Sequence, residues 1–443
     1  MDGLLVEGDG RGEAPGPDDG PVSPRLLPGT ARLGPDGRLS VGGVDLEDVA
    51  RRFGTPLFVY DEEHLRTRCR QAVAAWGEGV AYATKAFLCR AMAALAAEEG
   101  MALDVSTGGE LHVALAAGVA PGTLVLHGNN KSADELGQAL EVGVGRIVVD
   151  SFDEIDRLRR LVAGRDGAPQ PVLLRVTPGV EAHTHEFVRT GQEDSKFGFG
   201  LHSGAAAEGV ARIRAEPGLT LVGLHAHIGS QVFRAASFAE EVEVLAGFFI
   251  PLGLPELCVG GGLGEAYVAA ERAPTIGAWA EVVHDACRRA GIPAGTRVTA
   301  EPGRSIVATA GLTLYEVGTI KDIPGVRRYV AVDGGMSDNP RPVLYGSGYE
   351  AFLPRAAGAR RPEAVRVVGK HCESGDIVVA DARVPADIKV GDVLATPVTG
   401  AYGYAMASNY NKVPRPAVVF VRDGEARLVV RRETVDDLLR LDA

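Results

Sequence analysis

Eight short apolar runs, each closing on polar residues and followed by a stretch rich in Ala, Leu, Glu and Arg, constrain this chain more than anything else in it. They are 80–84, 102–106, 124–128, 146–151, 172–177, 221–228, 257–260 and 297–300. Parallel strands buried on both faces read as near-continuous apolar runs, and their connections need a helix. Eight strand–helix units close most economically into a (β/α)8 TIM-like barrel, an α/β fold. A doubly wound open sheet is the other assembly of the same rhythm.

After about residue 306 the rhythm changes. Runs at 312–320, 328–332, 364–369, 377–379, 393–397 and 416–421 are separated by Gly, Pro and Asp, which predicts a C-terminal all-β domain. The segments 38–44 and 56–60 alternate like strands and are expected to join that domain's sheet. The expected division is a disordered, Gly/Pro/Asp-rich tail over 1–30, N-terminal strands over 31–60, the barrel over 61–305 and the β domain over 306–443.

A formal net charge of −12, with the basic residues scattered, argues against nucleic acid as a partner. Five cysteines, an odd number without CxxC spacing, suggest neither a disulfide framework nor a zinc site, so reduced thiols and a cytoplasmic location are expected. Neither a signal peptide nor a membrane-spanning run is expected.

In such a barrel the chemistry sits where strands end. The first run ends in Lys85, within Tyr-Ala-Thr-Lys-Ala-Phe, an apolar setting that favours a neutral, nucleophilic amine and hence a Schiff base. A strand-end lysine reaching solvent is the plainer reading of that hexapeptide alone. The second run holds Asp104 and Ser106, the third His127, Asn129 and Asn130, the fifth Arg175, and the sixth His225, His227 and Ser230. Gly260, Gly261 and Gly262 could expose backbone N–H groups to a phosphate, or simply make a tight turn; Ser230 and Arg304 would add donors to the same phosphate. His225 and His227 could share one face of a strand as a metal pair, but no ligand set accompanies them and no metal is expected; a flat imidazole over a planar cofactor suits them better. Glu301 beside a pyridine nitrogen would keep a cofactor ring electron-withdrawing; an ion pair with Arg304 is its structural alternative. A second polar cluster, Arg341, Tyr345, Cys372, Glu373 and Tyr402, lies in the β-rich part.

Nine segments in order carry a resemblance: YATKAF at 82–87, HGNNK at 127–131, GVEAHTHEF at 179–187, HIGSQ at 227–231, GGGLG at 260–264, EPGR at 301–304, DGGMSDN at 333–339, CESGD at 372–376 and MASNYN at 406–411. From about residue 38 to the end the chain resembles the diaminopimelate decarboxylases, fold-type III pyridoxal-phosphate enzymes related to ornithine and arginine decarboxylases and to alanine racemase. The resemblance implies pyridoxal 5'-phosphate held by Lys85 as a Schiff base, His227 stacked on its ring and Glu301 at its nitrogen. It implies Asp104, Ser230, Gly260, Gly261, Gly262, Arg304 and Tyr402 around the cofactor, and Arg304, Arg341, Tyr345, Glu373 and Tyr402 around the substrate. It further implies that Cys372 is the proton donor, that Cys372 and Glu373 come from a partner subunit, and that the protein is therefore a homodimer. An ordinary thiol titrates at about 8.5, so it keeps a proton to donate at neutral pH.

The implied reaction takes meso-2,6-diaminopimelate to L-lysine and carbon dioxide, the last step of lysine biosynthesis. Arg341 and Glu373 match the carboxylate and ammonium of the substrate's distal end, whereas ornithine or lysine would leave a buried guanidinium unpaired. His371, Phe87 and Pro340 depart from many relatives. A decarboxylase of another or carrier-bound amino acid, a racemase and a non-catalytic regulatory homologue are the alternative readings.

Overall fold

The computed structural model describes residues 19–180 and 195–443. After a first long strand, β1 (Leu57–Asp61), each of the eight apolar runs forms a strand. These are β2 (Ala81–Ala83), β3 (Ala102–Val105), β4 (Leu124–Leu126), β5 (Arg146–Val149), β6 (Gln170–Thr177), β7 (Leu219–His225), β8 (Glu256–Cys258) and β9 (Arg297–Thr299). They pair in chain order, all parallel. The ring is completed where the N–H of Ala81 donates to Ala300 O (3.0 Å) and that of Ala83 to Pro302 O (3.2 Å). The predicted TIM-like barrel is therefore present.

Short polar side chains start several of the helices that return the chain. Thr107, Ser132 and Ser151 each accept from the backbone N–H three residues on, satisfying a donor that every helix start leaves open. Glu135 answers Ser132 in a capping box, and its other oxygen accepts from the Gly108 N–H (2.8 Å). One carboxylate thus laces two neighbouring strand–helix units, holding the loops at the end of the barrel where Lys85 stands.

The C-terminal strands are β10 (Gly311–Ile323), β11 (Arg327–Val332), β12 (Glu363–Val368), β13 (Ile377–Val384), β14 (Val393–Pro397), β15 (Ala417–Arg422) and β16 (Glu425–Val430). Their sheet runs β13-β12-β11-β10-β1-β15-β16, with β14 also on β10. β1 lies inside it, antiparallel to β10 and parallel to β15, and all five of its residues are buried. The segment 56–60 therefore joins the C-terminal sheet as expected. The segment 38–44 does not. Gly42 (φ +60°) and Gly43 (φ +80°) turn the chain back at once, so Leu39–Val41 pairs with Arg32–Leu33 and Val44–Asp45 in a separate three-stranded sheet. That sheet joins the β domain through side chains, with Leu39 and Val41 packed in one cluster with Leu57, Leu312 and Phe352.

Residues 1–18 of the expected tail lie outside the described residues. Residues 19–30, expected to be disordered with them, are packed instead. Val22 and Leu26 are buried, and the Arg361 guanidinium donates to Gly20 O (2.8 Å) and Pro21 O (3.3 Å). Two apolar anchors and a buried cation in need of acceptors outweigh the loop-like composition.

Candidate active site

β2 delivers Lys85 into a single turn, Thr84–Ala86. Thr84 Oγ1 donates to Asp104 O (2.8 Å) and Tyr82 OH to Phe87 O (2.6 Å), so the apolar neighbours are anchored inward. Lys85 itself is exposed while Thr84 and Ala86 are buried. The expectation of an amine in apolar surroundings is corrected: the hexapeptide supports the lysine from below and leaves its amine open. Tyr402, at the left-handed φ of +57° in a β-domain loop, donates its N–H to Ala86 O (2.8 Å). The two domains meet at the lysine turn.

Beside it lies a buried quartet. Glu301, just past β9, accepts from His127 Nε2 at Oε1 and from His225 Nε2 at Oε2, each at 2.9 Å. Asp104 Oδ1 lies 3.7 Å from the same His127 nitrogen and meets no hydrogen-bond donor among the described residues. Burial alone would protonate Glu301, but the imidazoles of His127 and His225 hold it well below the usual carboxylate range. For His127, burial acts downward and is overcome by Asp104 and Glu301, so its pKa rises. Burial dominates at His225, which falls to about 4, and at Asp104, which rises to about 6 against the pull of His127. The quartet thus keeps one carboxylate ionised deep in the barrel, with one imidazole biased toward its cation and the other neutral.

His225 and His227 do not form the metal pair considered from their spacing. β7 ends at His225, so strict alternation stops there; His225 turns to Glu301, and His227 Nδ1 accepts from the Gly261 N–H (3.2 Å). Ligand atoms of His127, His225 and Glu301 do lie within 4.8 Å of one another, but shared protons already satisfy the carboxylate. Burial, then the charges of Lys85 and Arg175, keep His227 well below its ordinary pKa, leaving a flat neutral ring against the glycine loop. The three glycines there are obligatory. A Cβ would stand 2.4 Å from Ala226 O at Gly260, 2.2 Å from Glu301 O at Gly261 and 2.1 Å from Gly229 O at Gly262.

Arg304 begins the turn after Glu301 and donates to Ser230 Oγ (2.9 Å) and to Tyr267 OH (2.5 Å). Its guanidinium lies 4.7 Å from the Tyr402 ring centre. Arg341, from the β domain, lies 4.7 Å from the Tyr267 ring and 5.6 Å from that of Tyr345. It donates to Tyr349 OH (3.0 Å) and Ser347 Oγ (2.9 Å). Both arginines are buried, and neither makes a salt bridge among the described residues. Tyr267, Tyr349 and Ser347 escape sequence reasoning, since they lie in irregular segments with no periodicity. The only signal was the need of a buried arginine for acceptors, which names no particular residue.

Cys372 and Glu373 are not joined to this cluster. Both are exposed on a β-domain loop, and no hydrogen bond or ion pair among the described residues connects them to it. Arg175 makes its ion pair with Asp150 (3.4 Å), while its charge also acts on His127, His225 and His227. Most of GVEAHTHEF, from residue 181 on, lies outside the described residues.

These residues fit pyridoxal phosphate. Each Glu301 oxygen takes one imidazole and retains a lone pair for a ring N–H. Ser230, Arg304, whose Nε is buried without a partner among the described residues, and the glycine loop offer donors to a phosphate. The lysine amine is open. A model of the pyridoxal binding domain of pyridoxal-dependent decarboxylases matches residues 62–308. Diaminopimelate decarboxylase of Mycobacterium tuberculosis is 48% identical over 95% of this chain and 98% of its own. That of Bacillus subtilis is 47% identical over 94% and 98%. The crystal structure of diaminopimelate decarboxylase from M. jannaschii in complex with L-lysine superposes with a TM-score of 0.86 at 32% identity, covering 94% of this chain and 98% of that one.

Proposed function

The chain belongs to the diaminopimelate decarboxylase family of pyridoxal-dependent enzymes, and from that premise we propose how its residues take carbon dioxide from meso-2,6-diaminopimelate to leave L-lysine. The observation that carries the substrate assignment is the buried Arg341, whose guanidinium lies 4.7 Å from the Tyr267 ring and, among the described residues, hydrogen-bonds only the neutral Tyr349 and Ser347 hydroxyls. A buried guanidinium facing only neutral donors and acceptors is costly, and a ligand carboxylate offsets that cost. Diaminopimelate carries a second carboxylate at its distal end; ornithine, and lysine as a substrate, do not.

When bound, pyridoxal phosphate supplies an electron sink for the pair left on the α-carbon as carbon dioxide departs. Lys85 would hold it through its amine, Ser230, Arg304 and Gly260–Gly262 would hold its phosphate, and His227 would lie against its ring with Asp104 and Tyr402 at the margins. Glu301, held ionised by His127 and His225, would favour a protonated ring nitrogen. Arg341, with Arg304 and Tyr345, orients the distal carboxylate. Glu373 takes the distal ammonium, and Cys372 Sγ delivers the proton that replaces the lost carboxylate at the α-carbon.

The last two roles are read as coming from a second copy of the chain, since both side chains are exposed and no hydrogen bond or ion pair among the described residues joins them to the cluster beside Lys85. A homodimer with sites completed across the subunits is part of this reading. The barrel is read as residues 61–305 and the β domain as 306–443 with the strands before the barrel. Five unpaired thiols, four of them buried, favour the reducing cytoplasm, and no helix of the described residues is long and apolar enough to cross a membrane.

The test is carbon dioxide release from purified protein with cofactor and, separately, diaminopimelate, lysine, ornithine, arginine and glutamate. Release from diaminopimelate alone, with L-lysine as product, is expected. Comparable release from lysine or ornithine would refute the arginine argument.

A further inference from the structure

His371 is a departure in the sequence to which none of the roles above gives a use. It is buried beside the exposed Cys372 and lies between two side chains: Nε2 is 2.8 Å from Ser337 Oγ and Nδ1 is 3.3 Å from Asn411 Oδ1. The same Asn411 oxygen accepts the backbone N–H of Cys372 at 3.2 Å. A peptide N–H can only donate, so the atom it meets is the amide oxygen, and an amide oxygen can only accept. His371 Nδ1 therefore carries a hydrogen, and in the neutral ring Nε2 accepts from the Ser337 hydroxyl.

The surroundings hold this arrangement from both sides. Asn411 and Lys412 take left-handed backbone conformations (φ +52° and +56°), which asparagine tolerates better than most residues. Opposite, Asp376 accepts from the N–H groups of His371 (2.8 Å) and Met336 (2.6 Å). A Cβ on Gly335 or Gly369 would stand 2.6 Å or 2.2 Å from its carboxylate. The loop bearing Cys372 is thus fixed at its base, and among the described residues the side chain that a neighbouring loop brings to the Cys372 main chain is the Asn411 amide that His371 orients.

We infer that His371 is a positioning residue for proton delivery: through the Asn411 amide it fixes the Cys372 backbone and so the direction of the thiol. This rests on the reading of Cys372 as proton donor. Proton delivery follows substrate binding, so the effect belongs in kcat and not in KM.

The test compares three variants of the full-length enzyme with cofactor. An asparagine amide can stand where Nδ1–H stands, whereas a glutamine amide reaches toward the Nε2 position. His371→Ala should lower kcat by roughly 10-fold, a part of the ~10²–10⁴-fold that a positioned acid contributes in full, and leave KM nearly unchanged. The solvent deuterium isotope effect on kcat should grow, and hydrogen exchange at the Cys372 amide should accelerate. His371→Asn should restore kcat, the isotope effect and the exchange rate, and His371→Gln should behave like His371→Ala. Equal behaviour of the asparagine and glutamine variants, a loss confined to KM, or unchanged exchange at Cys372 overturns the inference. A Cys372→Ala control separates the two ideas. Full kcat in that control removes the proton-donor reading itself, while its inactivity beside wild-type kcat in His371→Ala removes only the role of His371.

Discussion

The Arg341 guanidinium lies 4.7 Å from the ring centre of Tyr267, a phenol whose hydroxyl accepts from Arg304. One tyrosine therefore spaces two buried cations, one carried by the barrel and one by the β domain. Truncating one partner of a buried, hydrogen-bonded charge pair costs ~2–5 kcal/mol, or at least about 30-fold in affinity. Arg341→Leu should accordingly raise the KM for diaminopimelate by about that factor. Tyr267→Phe, which removes one acceptor but keeps the ring, should raise it less. Steady-state kinetics decide the matter, and an Arg341→Leu enzyme of normal KM would place the distal carboxylate elsewhere.

The strands of this barrel were legible because burial on both faces leaves an uninterrupted apolar run, and all eight predicted runs carry strands. The edge strand Glu425–Val430 was not legible: its burial pattern is largely open, so its Glu, Arg and Leu do not alternate cleanly. Lys85, Glu301 and the glycine triplet could be read from strand ends, because the fold dictates where such residues go. The hold of His127 on Glu301, and of Tyr267 on Arg304, could not. These contacts join residues 174 and 37 positions apart, and only the closed ring brings them together.

Asp104 and Glu301 both hold His127 toward its cationic form. Asp104 titrates at about 6, raised by burial, so below that pH it gains a proton, loses its charge and weakens that hold. The kcat/KM profile should therefore show an acid limb near 6. Asp104→Asn, neutral at every pH, should flatten this limb while lowering the plateau. An unchanged limb in the variant would assign the titration to another group.

Lys131 Nζ is buried against Gly128 O (2.6 Å), Val148 O (2.8 Å) and Glu154 Oε1 (2.9 Å), tying the loop after His127 to the neighbouring strand–helix unit. Removing one partner of a buried pair leaves an uncompensated charge, at a cost of ~3–5 kcal/mol. Lys131→Met should destabilise the protein by about that amount in denaturant melts. Lys131→Met with Glu154→Leu should recover most of it, since the second change removes the stranded carboxylate.

A site completed across two subunits predicts complementation. Lys85→Ala and Cys372→Ala should each be inactive, yet dimers re-formed from an equal mixture should regain roughly a quarter of wild-type activity. Random pairing makes half of the dimers hybrid, and each hybrid has one site with both residues intact. No recovery in mixtures shown to exchange subunits would put Cys372 and Lys85 of one chain in the same site.

Glu241, on the helix Ala236–Phe249, is buried, and neither of its carboxyl oxygens meets a hydrogen-bond partner among the described residues. Burial alone raises its pKa well above the ordinary 4.5. The folded protein therefore keeps a proton that the unfolded chain releases above pH 4.5, and stability from this group falls as pH rises from there toward the folded-state pKa. The slope is bounded at about 1.4 kcal/mol per pH unit. Glu241→Gln keeps the shape without the titration, so it should be more stable than the wild type at pH 8 and gain little at pH 4.5. Glu241→Met also removes the buried polar atoms, each unsatisfied group costing ~1–3 kcal/mol, and should gain at both. Denaturant unfolding of the three proteins across that range is the check. Parallel curves for wild type and Glu241→Gln would mean that the carboxyl reaches solvent or a partner in solution.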